Sequence, residues 1–330
     1  MSASPSVVLL AGGAGGSAFA VGLRDELRAR GGELTVVCNT ADDLWLAGLR
    51  IQPDVDSMLY GLAGVKDTAK GWGRAGDSLR VAAELHAWGV GWDWFELGDL
   101  DLGAHISRTS WLREGASPTT VLARLQARWR DEIGATLLPM TDAEVETHVV
   151  IEDSGDAGGA VTIHFQEWWT RYRATREPER FENPGMTGAR PAPGVLEAIA
   201  RADAVVFAPS NPIVSIGPIL AVPGIRDAVA AAPGRVVGVS PIIGGAPVRG
   251  MADVCLRVAG VPCSADGVAG HFGARADGGL LDAWLLAEED AALAPAVASL
   301  GIDAHVRPLW MAGPDLTRAL AADTLAAAGF

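Results

Sequence analysis

Val7-Val8-Leu9-Leu10-Ala11-Gly12-Gly13-Ala14-Gly15-Gly16 is the stretch on which the fold turns. Its five apolar residues run without alternation and are too few for a helix, so they read as a strand buried on both faces of a parallel sheet. The glycines read as a tight turn. Ser17 to Arg30 follows as a helix, with Phe19, Val21, Leu23 and Leu27 on its apolar side and Gly31-Gly32 as its stop. Leu34 to Cys38 is the next strand. A strand–helix–strand of this size crosses over right-handed and starts a doubly wound sheet. The grammar returns downstream, where helices over Pro193–Arg201 and Gly224–Ala231 lead into strands Ala204–Ala208 and Arg235–Val239. Between these halves, residues 77–132 read as mostly helical. Glu146–Glu152 and Ala160–Gln166 alternate as the strands of a hairpin around Ser154–Gly159. The expected architecture is α/β: a doubly wound, mostly parallel, Rossmann-like sheet in one unit over residues 1–330. Residues 1–70 and 190–330 form its core, and a mainly helical insertion with the β-hairpin, 71–189, forms a cap.

Composition narrows the function. The 330 residues carry 40 acidic and 26 basic side chains, a formal charge of −14, and 49% are apolar. That excludes a disordered chain and argues against a nucleic-acid binder, which needs a basic face to neutralise phosphates. Cys38, Cys255 and Cys263 form no CxxC pair, so a reducing compartment is expected. The N-terminus has no basic segment before its short apolar run, and no uncharged run approaches the roughly 20 residues of a membrane span. The expected place is the cytoplasm, with no membrane partner.

Several clusters carry chemical promise. Gly13-x-Gly15-x-x-Ala18 fits a dinucleotide fingerprint loosely, glycines letting an anion approach the free N–H groups of a helix N-terminus. The strand after it ends in Cys38-Asn39-Thr40, where a nicotinamide binder expects an acid. Asp42-Asp43 and Pro53-Asp54-Val55-Asp56 follow. Carboxylates there suit Mg²⁺, which takes a few oxygen ligands from protein and the rest from phosphate or water. Asp54 also reads as the cap of the helix beginning near Ser57. Pro209-Ser210-Asn211-Pro212 starts where a strand ends, with Ser215 as a candidate cap for the next helix, and Ser240 to Gly245 repeats the device. Asp101 and His105 lie one helical turn apart, spacing that serves a metal, a proton relay or a cap. Trp168 and Trp169, with Arg171 and Arg173, suit a planar anionic ring or plain core packing.

In this order the segments closely resemble the 2-phospho-L-lactate transferase family of coenzyme F-420 biosynthesis. The resemblance rests on Asn39–Trp45, Pro53–Asp56, Gly98–His105, Leu138–Met140, His164–Arg173, Pro209–Leu220 and Ser240–Gly245. Phe165-Gln166-Glu167-Trp168-Trp169 and Arg249-Gly250-Met251-Ala252-Asp253 look most like its actinobacterial phosphoenolpyruvate transferase branch. The resemblance implies a transferase moving a phosphoenolpyruvyl or 2-phospholactyl group from a guanosine diphosphate ester to the ribityl hydroxyl of the deazaflavin Fo, releasing GMP. It also implies Mg²⁺ and a homodimer. By the same resemblance Asp42 and Asp56 are expected at the metal, with Asp42, Asp43 and Asp56 as catalytic candidates. Gly13, Gly15, Gly16, Ser210, Asn211, Ser215, Gly244 and Gly245 are expected at the nucleotide, and Asp56, Asp99, His105 and Trp168 at Fo. The chain departs from the pattern at Ala18 and Leu100, where many members carry a basic residue. An NAD(P)-dependent oxidoreductase and a non-catalytic nucleotide-binding regulator are the competing readings.

Overall fold

The computed structural model describes residues 4–153 and 159–330. Seven strands form one parallel sheet: β1 (Ser6–Ala11), β2 (Glu33–Cys38), β3 (Thr136–Pro139), β4 (Ala204–Phe207), β5 (Arg235–Val239), β6 (Ala283–Ala287) and β7 (Asp303–Arg307). Their order across the sheet is β7-β6-β5-β4-β1-β2-β3. β1 lies inside it between β2 and β4, with Val7 opposite Leu34 of β2 and Ala204 of β4.

The unbroken apolar run of β1 is explained by what covers it. Val7, Leu9 and Ala11 face helices Gly13–Ala29, Pro53–Leu62, Pro118–Ala127 and Pro314–Ala328. Val8 and Leu10 face helices Val195–Arg201, Ile225–Ala230 and Ala265–Phe272 on the other side. Successive side chains point to opposite faces, so burying both layers requires every residue to be apolar. The sheet is therefore doubly wound, as expected.

Other expectations are corrected. The helix begins at Gly13, so the glycines form its first turn and not a loop before it. The segment 71–189 is not confined to a cap, because it supplies β3, whose Leu138 pairs beside Val37 of β2. The expected hairpin is present as His148–Asp153 against Gly159–His164, and a third strand, Pro178–Glu182, joins it. Residues 154–158 of its turn lie outside the described residues. Residues 80–133 are helical in four pieces, including Asp99–Arg113.

Candidate active site

Strand order reverses between β1 and β4, and the crevice above the carboxyl ends of those strands is where open α/β sheets take ligands. Side chains tie the rim together there. Gly12 N donates to Ser210 Oγ (3.2 Å), which donates back to Gly12 O (2.7 Å). Asn39, at the end of β2, donates through Nδ2 to Asp54 Oδ2 (2.9 Å) and to Val214 O (3.4 Å). The Asn39 bond to Val214 O ties the end of β2 to the turn after β4.

The glycines act mainly through close approach. A Cβ on Gly15 would stand 2.8 Å from Pro209 O, and one on Gly16 2.5 Å from Ser210 Oγ. Larger residues would prise the helix off the β4 turn. Gly13 opens onto free space, and the Asp54 carboxylate lies against the same turn, where a Cβ on Gly12 would collide with its Oδ2. Asp54 is thus no simple cap. It is the protein's own anion at the helix N-terminus, placed there because Pro53 starts helix Pro53–Leu62.

Three aspartates share this buried ground. Burial, then repulsion from Asp54 and Asp43, pushes the Asp42 carboxyl well above the usual carboxylate range. Burial also raises Asp54, against the hydrogen bond from Asn39. Asp43 is pushed up to about 7 by burial, opposed by Arg50 and by the hydrogen bond from Gln52 Nε2 to its Oδ2 (2.5 Å). Asp42 Oδ1, Asp43 Oδ1 and Thr40 Oγ1 are buried without a hydrogen-bond partner among the described residues. Buried carboxylate oxygens left unpaired are what a hard divalent cation relieves. Among the described residues, however, the set of three side chains whose ligand atoms lie within 4.8 Å of one another is Asp56, Asp101 and His105. Asp42, Asp43 and Asp54 are not drawn together that tightly, so a cation beside them would take one or two of their carboxylates and fill its shell with phosphate oxygens or water. Beside these aspartates a pocket of about 80 Å³ is lined by Thr40, Asp43, Arg50, Gln52, Arg108 and Glu144, among others.

Asp56 departs from its expected partnership with Asp42. Its Oδ1 is paired with Arg108 Nη2, and its Oδ2 lies 3.6 Å from His105 Nδ1. Arg108 Nη1 also donates to His105 Nδ1 (2.8 Å), which puts the ring proton on Nε2, toward Asp101 Oδ1 at 3.3 Å. Tyr60 OH closes the chain on Asp101 (2.6 Å). The residues nearest Asp42 are therefore Asp54 and Asp43, while Asp56 belongs to a cation-containing network. Asp43 adjoins both groups, since it feels Asp56 and Arg108.

The remaining expected residues fall into place differently. His105 is 1% exposed and held inside that network, where its ring and the Asp56 and Asp101 carboxylates bring ligand atoms within 4.8 Å of one another. Trp168 is fully buried among Val149, Ile151, Phe165 and Val254, its Nε1 donating to Arg176 O (2.7 Å), so it stacks on no ligand ring. Asp99 accepts from Ser78 Oγ and Val81 N, and so holds the start of helix Arg80–Ala87. Asn211, not Ser215, caps the turn Pro212–Ile216 by accepting from Ile213 N and Val214 N; Ser215 is buried within it. Gly244 and Gly245 form an exposed tight turn past β5, with Gly244 N donating to Asp290 Oδ2 (3.0 Å). Ala18 is exposed, and the ammonium beside the glycine turn comes from Lys66, 3.4 Å from Ser17 Oγ. Sequence reasoning missed Lys66, Arg50, Arg108 and the site role of Asp54. Arg108 stands three residues from His105 on one helix face, a signal that was legible.

Residues 7–299 match the family described as 2-phospho-L-lactate transferase CofD. The chain belongs to that family. Relatives agree with it. A phosphoenolpyruvate transferase of Thermobifida fusca is 51% identical over 321 residues, covering 96% of this chain and 95% of its own length. Counterparts of the same name in Nocardia farcinica and Streptomyces griseus are 46% and 48% identical, covering 98% and 97% of this chain and 95% and 97% of theirs. A crystal structure of a Bacillus halodurans protein superimposes with a TM-score of 0.62 at 17% identity, covering 97% of this chain and 99% of that one. At that identity the likeness concerns the fold alone. The CofD-family chain is accordingly a transferase with an α/β fold.

Proposed function

We propose that the protein transfers a phosphoenolpyruvyl group from a guanosine diphosphate ester to the terminal ribityl hydroxyl of Fo, releasing GMP and forming dehydro-F-420-0. The names of its relatives favour enolpyruvate over lactate as the transferred acid. The observation that carries the reading is the buried group Asp42, Asp43 and Asp54, with unpartnered oxygens on Asp42 and Asp43, at the crevice between β1 and β4. Phosphoryl transfer asks for positioning and charge neutralisation more than for a covalent nucleophile. An NAD(P) reading is disfavoured by Asn39 where a ribose-binding acid belongs and by the Asp54 carboxylate packed against the glycine turn.

In this scheme Asp42 and Asp54 would hold Mg²⁺, which supplies charge neutralisation at the diphosphate when bound. Asp43 is the general base. Its carboxyl, at about 7, matches a base working near neutral pH. It takes the hydroxyl proton as the ribityl oxygen bonds to the phosphorus bearing the acid and that phosphorus releases the GMP oxygen. Gln52 and Arg50 hold the Asp43 carboxylate in place. Arg108 fixes Asp56 and His105 behind it. No helix among the described residues is long and apolar enough to cross a membrane; the proposal places the enzyme in the cytoplasm as a homodimer.

The test is a mass-spectrometric assay of the purified protein with Fo, Mg²⁺ and, in turn, guanylylated enolpyruvate, lactate and glycerate. Dehydro-F-420-0 and GMP in equal amounts are expected with the enolpyruvate donor. No product from any donor would refute the proposal.

A further inference from the structure

Two loops of unrelated sequence meet beside the helix that begins at Gly13. One follows helix Pro53–Leu62 and folds back on itself through the Lys66–Arg74 bridge and the Gly71 N to Asp67 O hydrogen bond (2.9 Å). The other follows β5 and carries Arg249. A Cβ on Gly71 would stand 2.8 Å from Arg249 Nη1, so the guanidinium lies directly against the first loop. At the base of that loop Lys66 reaches Ser17 Oγ, in the first turns of helix Gly13–Ala29. Lys66 is half-buried and Arg249 exposed.

Neither cation has a carboxylate within salt-bridge distance among the described residues, although the chain carries 40 acidic side chains. Lys66 feels both Asp54 and Arg249, and burial lowers its ammonium to about 8. An ammonium kept partly out of water beside a second cation is held at a cost, which an arriving anion removes. Arg249 adds a planar fork suited to a carboxylate or phosphate. Asp54, whose charge is felt both by Lys66 and by Asp42 with its buried, unpartnered Oδ1, links the two cations to the aspartate group.

From this juxtaposition we infer that Lys66 and Arg249 form a two-cation clamp, one arm from each loop, that grips an anionic group of the donor at the glycine turn. The inference rests on the reading of the site as one for a guanosine diphosphate ester. Its shared chemistry is an oxyanion, and two parts of such a donor supply one: the diphosphate and the carboxylate of the acid.

The experiment titrates the wild type, Lys66→Met, Arg249→Met and Lys66→Arg by calorimetry with GDP and with the guanylylated enolpyruvate donor, at fixed salt and with Mg²⁺ present. Each Met variant should bind the donor about ten-fold or more weakly, the scale of one lost charge-assisted contact. Lys66→Arg should retain most of the affinity. An equal loss toward GDP assigns the clamp to the diphosphate; a loss confined to the ester assigns it to the carboxylate. Because Arg249 is exposed, its variant keeps the test valid if Lys66→Met does not fold. Unchanged affinity for both ligands in Arg249→Met and in a folded Lys66 variant, with wild-type turnover intact, overturns the clamp alone. A wild type that binds neither ligand and turns over no donor overturns the proposed function with it.

Discussion

Asp43→Asn removes one buried charge while nearly preserving shape, and its consequence for stability can be worked out. Burial lifts the Asp43 carboxyl to about 7 from an ordinary 3.8. The difference is about 3 units, or roughly 4 kcal/mol at about 1.36 kcal/mol per unit. Proton counting sets the sign. Between about pH 4 and 7 the unfolded chain has released this proton and the folded chain still holds it. Wild-type stability therefore falls as pH rises through that window and levels off above it. Asparagine does not titrate, and its side-chain oxygen still accepts from Gln52. Denaturant unfolding of both proteins in EDTA, from about pH 4.5 to 8, should show the stability difference moving toward the variant by about 3 kcal/mol. Mg²⁺ should return part of that stability to the wild type and less to the variant. A difference that stays constant across the pH range refutes the account of a desolvated, proton-holding Asp43.

Other outcomes follow from the same geometry. Asp54→Asn should abolish Mg²⁺-dependent turnover and reduce the rise in melting temperature that Mg²⁺ produces in the wild type; an unaltered rise would remove Asp54 from the metal. Arg108→Met leaves Asp56 buried without its partner and should cost about 3–5 kcal/mol of stability, with Asp56→Asn recovering much of it in the double variant; additive losses in that cycle would contradict the pairing. Trp168→Leu should cost on the order of 3 kcal/mol, as a core truncation does, and leave the quench of tryptophan emission by Fo intact. A diminished quench in the folded variant would place Trp168 at the ligand after all. Asp99→Ala should loosen helix Arg80–Ala87, read as faster amide exchange there, without raising KM for Fo.

Much of the frame was legible in a single dimension. The continuous run Val7–Ala11, the glycines and the apolar side of the next helix dictate a doubly wound sheet, because only a strand covered on both faces needs every residue apolar. Short elements were less legible. Thr136–Pro139 is four residues long, and Ala283–Ala287 is built of Ala, Trp and Leu with no alternation. Only pairing with a neighbour makes either a strand. The order of the seven motifs from Asn39–Trp45 to Ser240–Gly245 was enough to indicate the transferase family.

Which aspartates meet was another matter. Asp42, Asp54 and Asp56 are all near one another in sequence, and the family resemblance put Asp42 with Asp56. Pro53 sets the start of its helix so that Asp54 turns back to Asn39 and Gly13, while Asp56, two residues on, is delivered to Arg108 from a helix fifty residues away. Trp168 looks the same in sequence whether it faces solvent or core, and its burial depends on a third strand and on β4-side residues it cannot specify. The sequence by itself determined the alternation of strand and helix and the chemical types available at the rim, since those follow from local periodicity and composition. Charge partnership, burial and the convergence of Lys66 with Arg249 were decided by tertiary structure, because they depend on which distant backbones the sheet brings within a few ångströms.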